Sequence, residues 1–241
     1  MGDSQSTHVD VLIVGAGISG IGAAYHLQTL CPDRTFTILE GRSDIGGTWD
    51  LFRYPGVRSD SDMHTLGFSF KPWTEAKSIA DGPSIMKYLR ETVAEHDLRR
   101  HMRFGERVVR ADWSTSNATW TVRTQRADGT SSTFECSYLF MCAGYYSYKA
   151  GYLPEFPGRE KFQGTIVHPQ EWPEDLDYAN KRVVVIGSGA TAVTIVPAVA
   201  QSAAHVTMLQ RTPTYILPMP GRDRLRPRLE RALGEDRAYR L

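Results

Sequence analysis

The sequence predicts an α/β fold in which a strand, a glycine-rich turn and a helix occur twice, with a β-meander inserted between the two copies. Three observations carry this. VDVLIVGAGISGIGAAYHL runs from β-branched residues through three glycines into helical spacing, and KRVVVIGSGATAVTIVPAVAQ repeats that order. Between them RFGERVVRADWS, ATWTVRT and TFECSYLFMCAG are short strand-like runs, with a DG turn before the last.

In the first copy Gly15, Gly17 and Gly20 spell GxGxxG. One glycine makes the turn, one lets backbone approach a pyrophosphate, and one allows close helix–strand packing. Free N–H groups and the dipole at the helix start favour an anion there, with the Ser19 hydroxyl as a further donor. The motif is weak alone, since a glycine-rich turn can bind nothing. It gains weight from TFTILE, a second strand ending at Glu40, twenty residues after Gly20. A carboxylate at that place accepts from a ribose diol and repels a 2′-phosphate, which favours FAD or NAD over NADP.

The helical stretch PSIMKYLRETVAEHDL follows, then the meander, which is expected to close on a final buried strand. In the second copy Gly187, Gly189 and Ala192 restate the turn as GxGxxA, with HVTMLQRT as the next strand. Arg211 stands 24 residues after Gly187, where Glu40 stands 25 after Gly15. An acid has become a base. A guanidinium suits a 2′-phosphate through paired charge-assisted hydrogen bonds, so this site reads as one for NADP(H), the alternative being a surface arginine that ends a strand. The chain therefore reads as two Rossmann-like dinucleotide-binding units, FAD then NADPH, with domains at 1–150 and 181–241 and a linker at 151–180.

Composition narrows the function. Twenty-eight Lys+Arg against 27 Asp+Glu leave no basic surplus for a nucleic-acid partner. Cys31, Cys136 and Cys142 have no metal or redox spacing, so no metal is expected, and the polar opening MGDSQSTHVD is no signal peptide; a cytoplasmic protein is expected. Val183 to Ala204 carries no charge for 22 residues, but its glycines, hydroxyls, Gln201 and Pro197 favour a buried strand and helix over a membrane span. Disulfide reductases of two-nucleotide architecture place a cysteine pair soon after the first acid. Here GRSDIGGTWDLFRYPGVRSDSD has none, which points to molecular oxygen as the electron acceptor.

Two further stretches carry a specific resemblance. GGTWDLFRYPGVRSD, residues 46 to 60, resembles the flavin loop of Baeyer–Villiger monooxygenases, and FQGTIVHPQEWP matches that family's FxGxxxHxxxWP through Phe162, Gly164, His168, Trp172 and Pro173. Flavin-containing monooxygenases resemble both glycine turns but usually end the fingerprint on Tyr after His-Ser, so Trp172-Pro173 favours the Baeyer–Villiger branch. With CAGYY, IGSGATAV and LQRTPTYILP, the resemblance runs from Val9 to Pro220 and is closest to the bacterial ethionamide-activating subgroup.

The resemblance implies a FAD- and NADPH-dependent enzyme that inserts one atom of O2 into ketones to give esters or lactones, and also oxidises sulfides. It implies that this is the N-terminal part, since family members continue through the rest of the NADP domain to an arginine that acts at the flavin. Carried over residue by residue, Gly15, Gly17, Ser19 and Gly20 hold the FAD pyrophosphate and Glu40 its ribose. Thr48, Trp49, Asp50 and Leu51 lie beside the flavin, and Val108 meets adenine through its backbone. Arg58, Ser59 and Asp60 face the nicotinamide end of NADP. Gly187, Ser188, Gly189, Ala190, Thr191, Ala192 and Val193 hold the NADP pyrophosphate, and Arg211 with Thr212 its 2′-phosphate. Asp60 and His168 are the catalytic candidates. Asp60 resembles the carboxylate that pairs with the active-site arginine, its alternative being a helix N-cap in RSDSD. His168 belongs either to a hinge or to a purely structural connector. GRDRLRPRLERALGEDRAYRL reads as a solvated surface helix. Two other functions stay open: a truncated nucleotide-binding module without turnover, and a heteroatom-oxidising or N-hydroxylating monooxygenase.

Overall fold

The computed structural model describes residues 6–217, 220–222 and 226–234. The chain packs as two units that do not follow its linear order: residues 1–51 with 86–146, and 52–85 with 147–241.

The first unit begins with β1 (Thr7–Val14), α1 (Ile18–Leu30) and β2 (Phe36–Glu40), the strand–turn–helix–strand read from the sequence. β1 and β2 pair in parallel, and every residue of β2 is buried, as a strand covered on both faces must be. A short helix, α2 (Thr48–Leu51), closes the first segment. α3 (Met63–Leu66) belongs to the other unit, and α4 (Gly82–Glu95) runs from one into the other. Ile85, Met86, Leu89 and Val93 recur at helical spacing along α4 and are all buried. β3 (Met102–Phe104), β4 (Arg107–Ser114), β5 (Thr119–Gln125) and β6 (Ser131–Met141) complete a six-stranded sheet in the order β3-β2-β1-β6-β5-β4.

The inserted meander read from the sequence is present, and it joins the sheet of the first strands. β4 and β6 each pair antiparallel to β5, and β6 runs parallel beside β1, so the inserted hairpins extend the sheet of β1 and β2 itself. Val9, Leu12, Leu39, Val122, Phe134 and Cys136 form one apolar cluster from four of its strands. The last strand departs from the expectation of burial. Phe134 and Cys136 are buried, but Tyr138 and Phe140, which follow at the same period of two, are exposed. The reason lies in pairing: β5 reaches β6 only as far as Cys136, so the rest of β6 has a neighbour on its β1 side alone.

The second unit holds β7 (Arg182–Ile186), α5 (Ala190–Val199) and β8 (His205–Leu209), with β7 and β8 paired in parallel as a two-stranded sheet. The uncharged stretch from Val183 resolves into strand, turn and helix, and among the described residues no helix is long and apolar enough to cross a membrane. α6 (Arg226–Leu233) falls in the arginine-rich segment, with Arg228 and Arg231 exposed as read from the sequence. The end of that segment, like residues 1–5, lies outside the described residues.

Candidate functional site

Each glycine turn is built by backbone geometry. In the first, Gly15 has φ +108°, and a Cβ on it would stand 2.4 Å from the Cys142 carbonyl oxygen. A Cβ on Gly20 would stand 1.9 Å from the Gly15 carbonyl oxygen, so α1 lies directly on the turn. Gly17 differs. A Cβ there would make only ordinary contact, 3.6 Å to Gly47, so protein packing does not demand glycine at that position. No side chain caps that end of α1, so its first N–H groups are open to an anion. Ser19 is exposed in the first turn of α1.

Glu40 ends β2 beneath this turn, buried, with one carboxylate oxygen accepting from Ala16 N at 2.8 Å and the other from Arg42 N at 2.9 Å. The flavin-loop residues are joined to the same turn: Gly46 N donates to Ala16 O at 3.0 Å, and Trp49, Asp50 and Leu51 donate back to Gly46 and Gly47. Thr48, Trp49 and Leu51 are half-buried. The Asp50 carboxylate is buried and takes a 2.5 Å hydrogen bond from Arg42, a partner the sequence reading did not identify. Val108 pairs with Thr124 immediately before a β-bulge, and its neighbour Glu106 donates N–H to Glu40 O at 2.9 Å, which brings the start of β4 to the end of β2. Glu106 is fully buried; its carboxylate accepts from Arg126 Nε at 2.8 Å and from the Thr124 hydroxyl.

The second turn repeats the plan more loosely. Gly187 has φ +131°, and a Cβ on Gly189 would meet nothing within 4 Å, so the N-cap of α5 is open to a ligand. Ala192 is buried without a clash at the position where the first turn needs Gly20. Ser188 Oγ donates to Thr212 O at 3.0 Å and accepts from Thr214 Oγ1 at 3.1 Å. These bonds fix Arg211 and Thr212 beside the glycine turn, at the carboxyl ends of β7 and β8 where open α/β sheets bind ligands. Arg211 is exposed, and among the described residues no carboxylate pairs with it.

Arg58 and Asp60 are exposed, while Ser59 is buried and donates N–H to Ala80 O at 2.9 Å. The helix cap in RSDSD is Asp62, which accepts from His64 N and Thr65 N at 3.0 Å; Asp60 is free of that duty.

The fingerprint stretch is organised by rings set on small partners. The Phe162 ring covers Gly164, and the Trp172 ring meets Tyr178 edge-on at 6.0 Å. The His168 ring lies on Gly151, where a Cβ would stand 1.9 Å from Cε1. His168 Nδ1 accepts from Gln170 N at 3.2 Å, which leaves the proton on Nε2, and Gln170 Nε2 donates to Ser147 O at 2.5 Å. Nothing in the sequence marked Gly151 as the seat of this ring. Gly151→Ala should push the ring off and loosen the segment from Ser147 to Gln170. Trypsin cleavage after exposed Lys149 is expected to accelerate about tenfold, from a loss of about 1–3 kcal/mol of local packing, with little change in the global melt.

Trp172 also lines an open cleft of about 440 Å³ with Arg53, Pro55, Glu174, Asp177 and Tyr178. Asp177 and Tyr178 precede β7, so the cleft sits at the amino end of that strand, away from Gly187 and Arg211. All three cysteines are free. Burial pushes the Cys136 thiol up to about 11 and raises Cys142 as well, so neither is a thiolate at neutral pH.

Comparison with known proteins gives consistent matches. The flavin-binding monooxygenase-like family matches residues 8–223. The FAD-containing monooxygenase EthA of Mycobacterium tuberculosis is 59% identical over 236 residues, which is 98% of this chain and 48% of that protein. The chain thus spans about half the length of the curated relatives it matches. Among solved structures, an oxidised steroid monooxygenase bound to NADP superposes with a TM-score of 0.80 at 34% identity, covering 94% of this chain and 43% of that one. Cyclohexanone monooxygenase from Rhodococcus sp. Phi1 bound to NADP+ gives 0.76 at 34% identity, covering 89% and 40%.

Proposed function

This chain belongs to the flavin-binding monooxygenase-like family, and on that premise we propose that the protein is a FAD- and NADPH-dependent Baeyer–Villiger monooxygenase. Its substrates are small ketones, converted to esters or lactones with O2, and sulfides are oxidised at the same site. The observation that carries this reading is the exchange of charge between the two turns: Glu40 buried against the first, Arg211 exposed beside the second. A carboxylate and a guanidinium in equivalent places call for two different dinucleotides, one without and one with a 2′-phosphate. The three cysteines are unpaired, and burial raises the Cys136 and Cys142 thiols, which supports oxygen rather than a dithiol as the acceptor.

When bound, FAD supplies the oxygen-activating chemistry after reduction by NADPH. The residues of this chain bind and orient. Gly15 makes the turn, its own N–H spent on Leu39 O, while Gly17, Ser19 and Gly20 at the start of α1 would take the FAD pyrophosphate, Glu40 the ribose and Val108 the adenine. Thr48 to Leu51 border the flavin, with Asp50 held in place by Arg42. Gly187 to Val193 take the NADP pyrophosphate, and Arg211 with Thr212 the 2′-phosphate. Arg58, Ser59 and Asp60 face the nicotinamide, and His168, held on Gly151, orders the connecting segment.

The relatives, a FAD-containing monooxygenase and a cyclohexanone monooxygenase bound to NADP+, support both cofactors. The test has two arms. The 241-residue chain reconstituted with FAD should stay yellow through gel filtration. A polypeptide extended to the length of the relatives should bleach on adding NADPH and, in air, turn a cyclic ketone into a lactone. Bound flavin that NADPH leaves oxidised would overturn the proposal.

A further inference from the structure

α5 is a helix with internal weaknesses. Pro197 lies inside it and has no N–H to give, and Thr194 Oγ1 bonds back to Ala190 O at 2.8 Å, an arrangement that bends helices. Its N-cap, Gly189, brings no side-chain hydrogen bond. Yet the N–H groups of its first turn must be held in place if they are to grip a pyrophosphate, because anion binding at a helix start depends on aimed donors. Something outside the helix has to hold it.

The segment that does so is the turn from Tyr54 to Val57. Val57 N donates to Tyr54 O at 3.2 Å across Pro55 and Gly56, and Gly56 has φ +79°, the pattern of a type II turn. This turn is pressed on α5: a Cβ on Gly56 would stand 2.9 Å from both Thr194 O and Ala198 Cβ. Tyr54 is 7% exposed, and the Thr191 hydroxyl in the first turn of α5 lies within hydrogen-bonding reach of its phenol oxygen. Thr191, Thr194 and Ala198 follow at i, i+3 and i+7, so the turn lies along a single stripe of the helix. Burial raises the Tyr54 phenol above its usual range, the Thr191 hydroxyl opposing and the nearby Asp60 charge adding to that shift, so the phenol stays protonated. Thr191 is therefore held from behind through its side chain, while its backbone N–H remains in the anion-binding turn.

We propose that the Tyr54–Val57 turn is a positioning element for the nicotinamide-nucleotide site, with Tyr54 acting through Thr191 to set the first turn of α5 for the pyrophosphate. This rests on the reading of the second turn as an NADP site. It separates two parts of one ligand: the pyrophosphate depends on Tyr54, and the 2′-phosphate, held at Arg211, does not.

The test measures binding of NADP+ and of adenosine 2′-monophosphate, which lacks the pyrophosphate, to the 241-residue chain by calorimetry. Tyr54→Phe removes only the hydroxyl and is expected to weaken NADP+ about fivefold while leaving adenosine 2′-monophosphate unchanged. Gly56→Ala should weaken NADP+ by about tenfold or more with the same selectivity, since the added carbon must displace α5. If Tyr54→Phe binds NADP+ as tightly as the parent, or loses both ligands equally, the positioning role is wrong although the site stands. If the parent binds neither ligand, or Arg211→Ala leaves both affinities intact, the reading of the site fails and takes this inference with it.

Discussion

Gly20→Ala is expected to lower the stability of the chain by about 3–5 kcal/mol, close to the whole stability of many domains, and to abolish flavin retention. The added carbon would stand 1.9 Å from the Gly15 carbonyl oxygen, and that oxygen cannot retreat. Gly15 is itself packed against the Cys142 carbonyl, and Cys142 N is bonded to Val14 O at 2.8 Å, so the turn is held between α1 and the loop after β6. Relief must come from α1 moving off the sheet, which opens the layer around buried Ile21 and Ala24. The second unit provides the control. Ala192 already occupies the corresponding place, and Ala192→Gly should cost only about 1 kcal/mol through helix propensity. Thermal melts of the two variants, with flavin absorbance after gel filtration, check both; a Gly20→Ala melt within a few degrees of the parent would show that the turn is not load-tight at this point.

Most of this architecture was legible because its signals are local. The two glycine turns, the strands that follow them and the breaking of the uncharged stretch into strand and helix rest on short-range spacing, and the structure bears them out. The sheet order was less accessible, because placing β6 beside β1 depends on pairing between residues more than a hundred positions apart, such as Val9 with Cys136. The same remoteness hid the partial exposure of β6, which follows from where β5 ends. At the candidate site the glycines, Glu40 and Arg211 could be singled out because each stands at a fixed offset from a motif. Arg42, Glu106 and Gly151 could not, since each acts on a side chain by packing or hydrogen bonding that no offset encodes. Tyr54 and Gly56 are an intermediate case. The Pro-Gly pair in RYPG signals a type II turn, but not that the turn bears on a helix some 140 positions later, beginning at Ala190.

Arg211→Ala should remove the preference for NADP+ over NADH's oxidised form, NAD+, by lowering NADP+ affinity about 10- to 100-fold and leaving NAD+ affinity unchanged. The magnitude follows from losing one or two charge-assisted hydrogen bonds of about 1.5–3 kcal/mol at an exposed position where water competes. The geometry makes the effect separable. Arg211 lies in a segment fixed to the glycine turn by Ser188 through Thr212 and Thr214, so truncating its side chain leaves the backbone of the site intact. Affinity for NADP+ in the parent should fall as salt is raised, and that dependence should weaken in the variant, because an exposed ion pair is screened over about 10 Å at 0.1 M. Arg211→Glu places in the second unit the charge that Glu40 gives the first, and should turn the preference toward NAD+. Glu40 differs in one respect that limits the swap: its carboxylate is buried and held by Ala16 N and Arg42 N, whereas position 211 is open to solvent. The reversed enzyme should therefore reject NADP+ strongly by repulsion while gaining little for NAD+. Calorimetric titration of both nucleotides against parent, Arg211→Ala and Arg211→Glu decides the matter, and equal affinities for NADP+ across the three would remove Arg211 from the site.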